Sequence, residues 1–208
     1  MFEQALHRDP YDARKYYHKG STLMLLNRYN EALTALEQSI NLDPASANAS
    51  ALRAQMLSEL NRYTEALEMN EQVISLDPKN AEVYVTRGAQ LFMLNRLEEA
   101  ADALKQALHL DPSLTQAYFL QAGILQRLDR LEEAADAWEQ VIRLDPKNAD
   151  AFFSRGGLLV RLKRYEEALN ALEQYMLLKP DDAFASVARG EVLFKLDRPE
   201  EALQMIEQ

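Results

Sequence analysis

The chain has 208 residues, of which 48% are hydrophobic and 27% are charged, a balance typical of a folded water-soluble protein and not of a disordered one. Its 33 acidic side chains outnumber its 23 basic ones, and the resulting net charge of -10 repels phosphate backbones, which argues against a nucleic acid partner. It contains no cysteine, which excludes disulfides and thiol chemistry and fits a reducing compartment.

Neither a membrane anchor nor an export signal is indicated. No uninterrupted apolar stretch approaches the roughly 18 residues of a membrane-spanning helix. Residues 1–6 lack the basic, apolar and small-residue zones of a signal peptide. The sequence therefore predicts a cytoplasmic protein with no membrane partner.

An acidic or basic residue followed by proline recurs every 34 residues along the chain. Fixed self-similarity at such a period is typical of a repeat architecture. The dipeptides are Asp9-Pro10, Asp43-Pro44, Asp77-Pro78, Asp111-Pro112, Asp145-Pro146 and Lys179-Pro180.

Counting from the third residue after each proline divides the chain into six repeats. They are predicted at 13–46, 47–80, 81–114, 115–148 and 149–182, with a shortened sixth repeat at 183–208. Residues 1–12 match the end of a preceding repeat's second helix. The prediction is one continuous domain that is open at both ends, like a segment of a longer protein.

Each repeat contains two helical patterns. In the third repeat Tyr84, Gly88 and Leu91, at positions 4, 8 and 11, follow the i, i+4, i+7 spacing of one helix face. Positions 20, 24 and 27 show the same spacing. A short polar break separates the two patterns, and the proline at position 32 cannot continue a helix. Each repeat is therefore predicted to be helix, tight turn, helix and stop.

The aromatic at position 4, Gly or Ala at 8, Leu at 11, Ala at 20 and Pro at 32 resemble the tetratricopeptide repeat, in one register over essentially the whole chain. The resemblance implies an all-α, right-handed superhelical solenoid of antiparallel helix pairs, whose first helices line a concave groove. Repeat 2 departs most, with Ser50, Ala54 and Asn70. We expect it to be the least stable repeat and Asn70 to be partly exposed.

No pattern in the chain indicates catalysis. No histidine has a second ligand at helical spacing, so neither a metal site nor a cofactor is expected. Acidic pairs such as Glu98-Glu99 lie at the start of the second helices, where a carboxylate interacts favourably with the positive end of the helix dipole. The arginine at position 16 lies at the end of the first helices, where the opposite charge is favoured. We interpret both as structural, and the chain as not an enzyme.

In the resembled family, positions 2, 5, 9, 12 and 13 face the groove. An apolar stripe at positions 5, 9 and 12 indicates either packing between neighbouring first helices or a hydrophobic groove, with small residues at 9 making room for a ligand backbone. Basic residues at 13 in the last three repeats favour acidic ligand residues there. The candidate groove residues are Tyr17, Met24, Val85, Phe92, Phe119, Gly123, Arg127, Phe153, Gly157, Val160, Arg161, Phe194 and Lys195.

Three functions fit the sequence. The first is a protein-interaction scaffold that binds a peptide or partner helix, amphipathic or extended, in the groove. The second is end-to-end self-assembly into a homo-oligomer. The third is the regulatory segment of an enzyme whose catalytic domain lies outside these residues.

Overall fold

The computed structural model describes residues 11–206, which form twelve helices and no strand. Of the predicted segment 1–12, residues 1–10 lie outside the described part, as do Glu207 and Gln208. No described helix is both long and apolar enough to cross a membrane. The helices are α1 (Ala13–Leu25), α2 (Tyr29–Leu42), α3 (Ala47–Glu59), α4 (Tyr63–Leu76), α5 (Ala81–Met93), α6 (Leu97–Leu110), α7 (Thr115–Arg127), α8 (Leu131–Leu144), α9 (Ala149–Arg161), α10 (Tyr165–Leu178), α11 (Ala183–Lys195) and α12 (Pro199–Ile206).

A three-residue turn joins each odd-numbered helix to the next one. In the first turn the N–H of Asn27 donates to the carbonyl of Met24 (2.8 Å) and that of Arg28 to the carbonyl of Leu23 (2.9 Å). This Schellman pattern satisfies the last carbonyls of the helix and reverses the chain. The middle residue of each turn has a φ between 56° and 59°: Asn27, Asn61, Asn95, Asp129, Lys163 and Asp197. The two helices of a pair therefore run antiparallel.

The proline-containing loops stop the second helices and start the next first helices. Helix α2 ends at Leu42, directly before Asp43-Pro44. Ser46 then caps α3, with its hydroxyl accepting a hydrogen bond from the N–H of Ala49 (3.4 Å). A side-chain oxygen that accepts from the first turn replaces a bond that the helix itself cannot make.

The helices of a pair approach closely at position 8. A Cβ added to Gly20 would lie 2.7 Å from Cγ of Leu36, and one added to Gly88 would lie 2.8 Å from Cγ of Leu104. Where position 8 is alanine, as at Ala54, the partner position 24 holds a different residue, here Asn70. Gly20 and Gly88 are therefore each matched to a buried leucine on the facing helix.

Within the described part of the chain, residues 11–111 form one compact unit that contains α1–α6. One of its apolar clusters joins the first two helix pairs and includes Leu23, Leu36 and Met56. Between the second and third pairs, Arg87 forms an ion pair with Glu71 (2.9 Å). Burial of apolar side chains between consecutive pairs is the stabilising contact of a repeat fold.

Residues 112–206 form a second compact unit that contains α7–α12. Its core includes Trp138 and, further along, Leu172. Arg155 and Arg189, both at position 7, bind Glu139 (3.1 Å) and Glu173 (2.9 Å) of the preceding repeat. The position-7 arginines therefore contribute to repeat packing. The predicted all-α fold class of paired helices is confirmed.

Candidate functional site

A cleft of about 620 Å³ opens along the first helices of the first unit. We name it the first-unit cleft. It extends from the start of α3 and α5 to their ends, and residues of α1 and α4 complete its lining. Most of these residues occupy positions 2, 5, 9, 12 and 13 of their repeats. Of the predicted groove residues, Tyr17 lines this cleft.

The floor of the first-unit cleft contains a chain of hydrogen-bonded polar side chains. The amide of Asn70 donates to Gln90 Oε1 (2.7 Å) and to Thr86 Oγ1 (3.3 Å), and the amide of Gln90 donates to Ser58 Oγ (2.9 Å). Asn70 is only 2% exposed, so the expectation of partial exposure was wrong. Its buried side-chain amide is hydrogen-bonded, because its partners Gln90 and Thr86 lie close by on α5, the first helix of the next repeat.

Polar and acidic side chains lie among the largely apolar lining of the first-unit cleft. Asn48 and Gln55 present exposed amides, while Glu59 and Glu82 present exposed carboxylates at the two ends. The sequence indicated that positions 2, 9 and 13 face the groove, but these four residues were not among the candidates selected from it. The signal that could have found them is the concentration of atypical polar residues in and beside repeat 2.

The other predicted residues of the first unit differ in accessibility. Val85 is 2% exposed, so it belongs to the core and not to a ligand-accessible surface. Met24 is half-buried and packs against the cluster around Leu23 and Leu36. Phe92 is half-buried as well.

The second unit presents two aromatic side chains at position 5. Phe119 is 41% exposed and meets Trp138 edge-on, with ring centroids 4.9 Å apart. Phe153 is 39% exposed and lies 5.0 Å from Tyr175. These contacts fix one side of each ring and leave the other side accessible. We name Phe119 and Phe153, with the glycines below, the aromatic strip.

Open space surrounds the glycines at position 9. No heavy atom lies within 4 Å of a Cβ built on Gly123 or on Gly157, in contrast to the crowding at Gly20 and Gly88. These two glycines therefore do not serve close helix packing. They leave room beside the aromatic rings of the second unit.

Basic side chains at position 13 are exposed in the second unit. Arg161 donates a hydrogen bond to Oδ1 of Asp129 at 2.7 Å. The sequence had instead predicted that Arg161 faces a ligand in the groove. Arg127 and Lys195 are also exposed. Val160 is half-buried and packs against the cluster around Leu172.

The last helix pair presents an apolar patch, consisting of Phe184, Val187, Phe194 and Leu203. Phe194 is 71% exposed and Leu203 is 61% exposed. Three of the four, Phe184 excepted, border a broad depression of about 1060 Å³ with Lys195. We name these four residues the C-terminal apolar patch.

The charged side chains of the turns pair with one another. Arg28 donates two hydrogen bonds to Glu31, both 2.6 Å long, and the same bidentate pair recurs in every repeat. These hydrogen bonds lower the pKa of Glu31. Within residues 11–206, no group of three or more histidine, aspartate or glutamate side chains is arranged to hold a metal ion.

One tyrosine is buried against a carboxylate. The hydroxyl of Tyr175 donates to Oδ2 of Asp182, which also caps α11 by accepting from the N–H of Phe184 (2.9 Å). The hydrogen bond to Asp182, together with burial, raises the pKa of Tyr175 to about 12. The same bond lowers the pKa of Asp182. This pair joins α10 to the start of α11.

Three family models described as tetratricopeptide repeat match the chain, over residues 57–124, 120–190 and 183–208. A model of the anaphase-promoting complex, cyclosome, subunit 3 matches residues 1–73. Comparison with curated proteins gave no significant match. With the helix pairs and their matched packing positions, these results show that the chain belongs to the tetratricopeptide-repeat family.

Solved structures share the fold. YrrB, described as a TPR protein with an unusual peptide-binding site, is 26% identical, with a TM-score of 0.77 over 90% of this chain and 97% of YrrB. MamA is 20% identical, with a TM-score of 0.76 over 82% of this chain and 93% of its own. PilF of Pseudomonas aeruginosa is 19% identical, with a TM-score of 0.70 over 96% and 90%. The family and fold are those of protein-interaction scaffolds.

Proposed function

We propose that this chain is a non-catalytic scaffold that holds a peptide or a partner helix against its first helices. The observation that carries the proposal is the aromatic strip, where two fixed and half-exposed rings lie beside unoccupied glycine positions. The peptide-binding site named for YrrB supports a peptide as the class of ligand.

The geometry of the aromatic strip suits binding in two ways. Trp138 and Tyr175 hold the two phenylalanine rings in place, so little side-chain freedom is lost when a ligand binds. Buried aromatic anchors usually supply most of an interface's binding energy. A single peptide segment that covers both rings would bind with a Kd near micromolar, roughly -8 kcal/mol.

Exposed basic side chains favour acidic residues in the part of the ligand that meets the second unit. Arg161 is already paired with Asp129, and a surface ion pair of this kind contributes only about 0–1 kcal/mol. A ligand carboxylate can therefore replace Asp129 at low cost. Charge of this kind orients a ligand more than it tightens binding.

A pull-down from a lysate of the source cell tests the proposal, with the bound proteins identified by mass spectrometry. The wild-type chain is compared with Phe119→Ser/Phe153→Ser. The matched control is Leu144→Ser/Leu178→Ser, which removes two apolar side chains of similar exposure (36% and 39%) from the second helices of the same unit. A peptide from the partner is then titrated directly against all three proteins.

We expect to find a partner protein that the control variant still binds and that the phenylalanine variant does not bind. Both variants should keep the helicity of the wild type, as measured by circular dichroism. Equal retention by both variants would show that the aromatic strip is not the binding surface. Equal loss from both would indicate a general effect of removing apolar surface.

The C-terminal apolar patch favours self-association as a second function. Phe194 and Leu203 are exposed, and burying them against a second copy would remove apolar area from water. Light scattering over a concentration series checks this. Mass that rises with concentration for the wild type, but not for Phe194→Ser/Leu203→Ser, supports assembly, whereas a monomer at high concentration refutes it.

A further inference from the structure

We infer that the first-unit cleft binds an extended peptide segment that carries two basic side chains, one held by Glu59 and the other by Glu82. The inference rests on the proposed scaffold function and names the chemistry of the ligand at the first unit. It does not involve the aromatic strip of the second unit.

Charge complementarity supports basic ligand residues. Among the residues that line the first-unit cleft in the described chain, Glu59 and Glu82 are the only charged ones. Both are exposed, so their carboxylates are open to a ligand cation. An ammonium or guanidinium group that enters the cleft meets acceptors and no positive charge among these lining residues.

The two carboxylates lie at opposite ends of the cleft. Glu59 is the last residue of α3, whereas Glu82 is the second residue of α5. Helices α3 and α5 run in the same direction, because two chain reversals separate them. The residues are eleven repeat positions apart, which is about 17 Å along the helix axes at about 1.5 Å per residue. The two helices also lie side by side, about 10 Å apart, so the two residues are about 20 Å from each other.

That separation fits an extended chain. At about 3.3 Å per residue, about six residues of an extended peptide span about 20 Å. Side chains alternate along an extended chain, so two residues that are six positions apart face the same side. A helical peptide rises only about 1.5 Å per residue, so it would need about thirteen residues to span about 20 Å. A peptide of eight residues therefore spans the two carboxylates in an extended conformation but not as a helix.

The lining between the carboxylates suits a peptide backbone. Ala51 and Ala89 are small and allow close approach, and the exposed amide of Gln55 can both donate to and accept from peptide groups. The buried bond between Asn70 and Gln90 fixes the floor, so the cleft keeps its shape without a ligand.

Fluorescence anisotropy with the full chain tests the inference. The probe is a fluorescein-labelled eight-residue peptide whose two lysines are six positions apart. Two matched peptides replace both lysines by glutamate or place the lysines next to each other. The inference expects the spaced-lysine peptide to bind most tightly, and its affinity to fall as the salt concentration rises.

Charge reversal at the cleft provides the decisive comparison. Glu59→Lys/Glu82→Lys should weaken binding of the spaced-lysine peptide about tenfold or more, since two ion pairs become repulsive. The control is Glu37→Lys/Glu68→Lys, which makes the same change in net charge on exposed glutamates of the second helices α2 and α4. The control should bind within about twofold of the wild type once nonspecific attraction is screened by salt.

Three outcomes would overturn the inference: no binding of the spaced-lysine peptide, equal binding of the glutamate peptide, or equal weakening by both charge reversals. Phe119→Ser/Phe153→Ser separates this result from the proposed function. That variant should still bind the lysine peptide, and failure of the cleft would leave partner capture by the aromatic strip intact.

Discussion

Replacing Gly88 by alanine tests the close packing of paired helices. The new Cβ would lie 2.8 Å from Cγ and 3.0 Å from Cδ2 of Leu104, a side chain that is fully buried and has no free space to enter. Overpacking of a filled core costs about 1–3 kcal/mol. Alanine gains about 1 kcal/mol over glycine in a helix interior. The net effect on the free energy of unfolding is therefore a loss of about 0–2 kcal/mol.

Gly157→Ala is the matched control, because the chemical change is the same and the surroundings are open. No heavy atom lies within 4 Å of its added Cβ. Only the helix-propensity gain remains, and it should raise the free energy of unfolding by about 0.5–1 kcal/mol. The two variants should therefore differ by about 1–3 kcal/mol, which is the steric cost alone.

Urea unfolding followed by far-ultraviolet circular dichroism measures the difference. Stability in a repeat fold is a sum over repeats and their interfaces, so a substitution can change how much of the chain unfolds in one transition. The slope of the transition reports this, and midpoints are therefore compared only between variants with equal slopes. Adding Leu104→Ala to Gly88→Ala should remove the steric cost, which a double-mutant cycle detects as coupling. If Gly88→Ala stabilises the chain as much as Gly157→Ala does, the close approach is absent and the packing argument fails.

Three further substitutions probe the turns, the cleft floor and the buried tyrosine. Lys163→Asn should raise the free energy of unfolding, measured in urea, by about 0.5–1 kcal/mol, because asparagine tolerates the positive φ better than lysine does; no gain would contradict this. Asn70→Leu should cost about 1–3 kcal/mol by leaving the buried Gln90 without its donor, and Asn70→Leu/Gln90→Leu should recover most of that loss. The raised pKa of Tyr175 implies stability that is fully present below pH 10 and lost as the pH rises toward about 12. Tyr175→Phe should therefore flatten the dependence of Tm on pH over that range, and an unchanged alkaline slope would show that the bond to Asp182 contributes nothing.

The sequence predicted the fold class because the same few contacts recur in every repeat. A glycine or alanine at position 8 and a leucine at position 11 together mark one face of the first helix. The proline at position 32 ends the second helix. Leu23 and Leu125, both at position 11, are buried as expected. Because the same contacts recur, the fold class could be predicted from the residue spacing within one repeat.

Contacts between repeats were harder to predict. Asn70 was expected to be partly exposed because a polar residue is costly in a core, yet its partner Gln90 lies twenty residues further along and on another helix. Position 5 shows the same difficulty, since Tyr17 is half-buried and Val85 is buried. Neighbouring side chains decide the exposure of a position, and these differ from repeat to repeat.

The residues that maintain this fold and those that would recognise a ligand occupy different positions of the same first helices. Position 8 faces the partner helix, where Gly20 and Gly88 leave no space for a Cβ, whereas position 9 faces open space at Gly123 and Gly157. One residue along a helix turns the side chain by about 100°, so adjacent positions serve different surfaces. Positions 5, 9, 12 and 13 can therefore form a cleft that carries carboxylates and amides in the first unit and an aromatic strip in the second, while positions 8, 11 and 20 preserve the helix pair. Binding specificity in this chain can vary independently of its stability, because each depends on a separate face of the same helix.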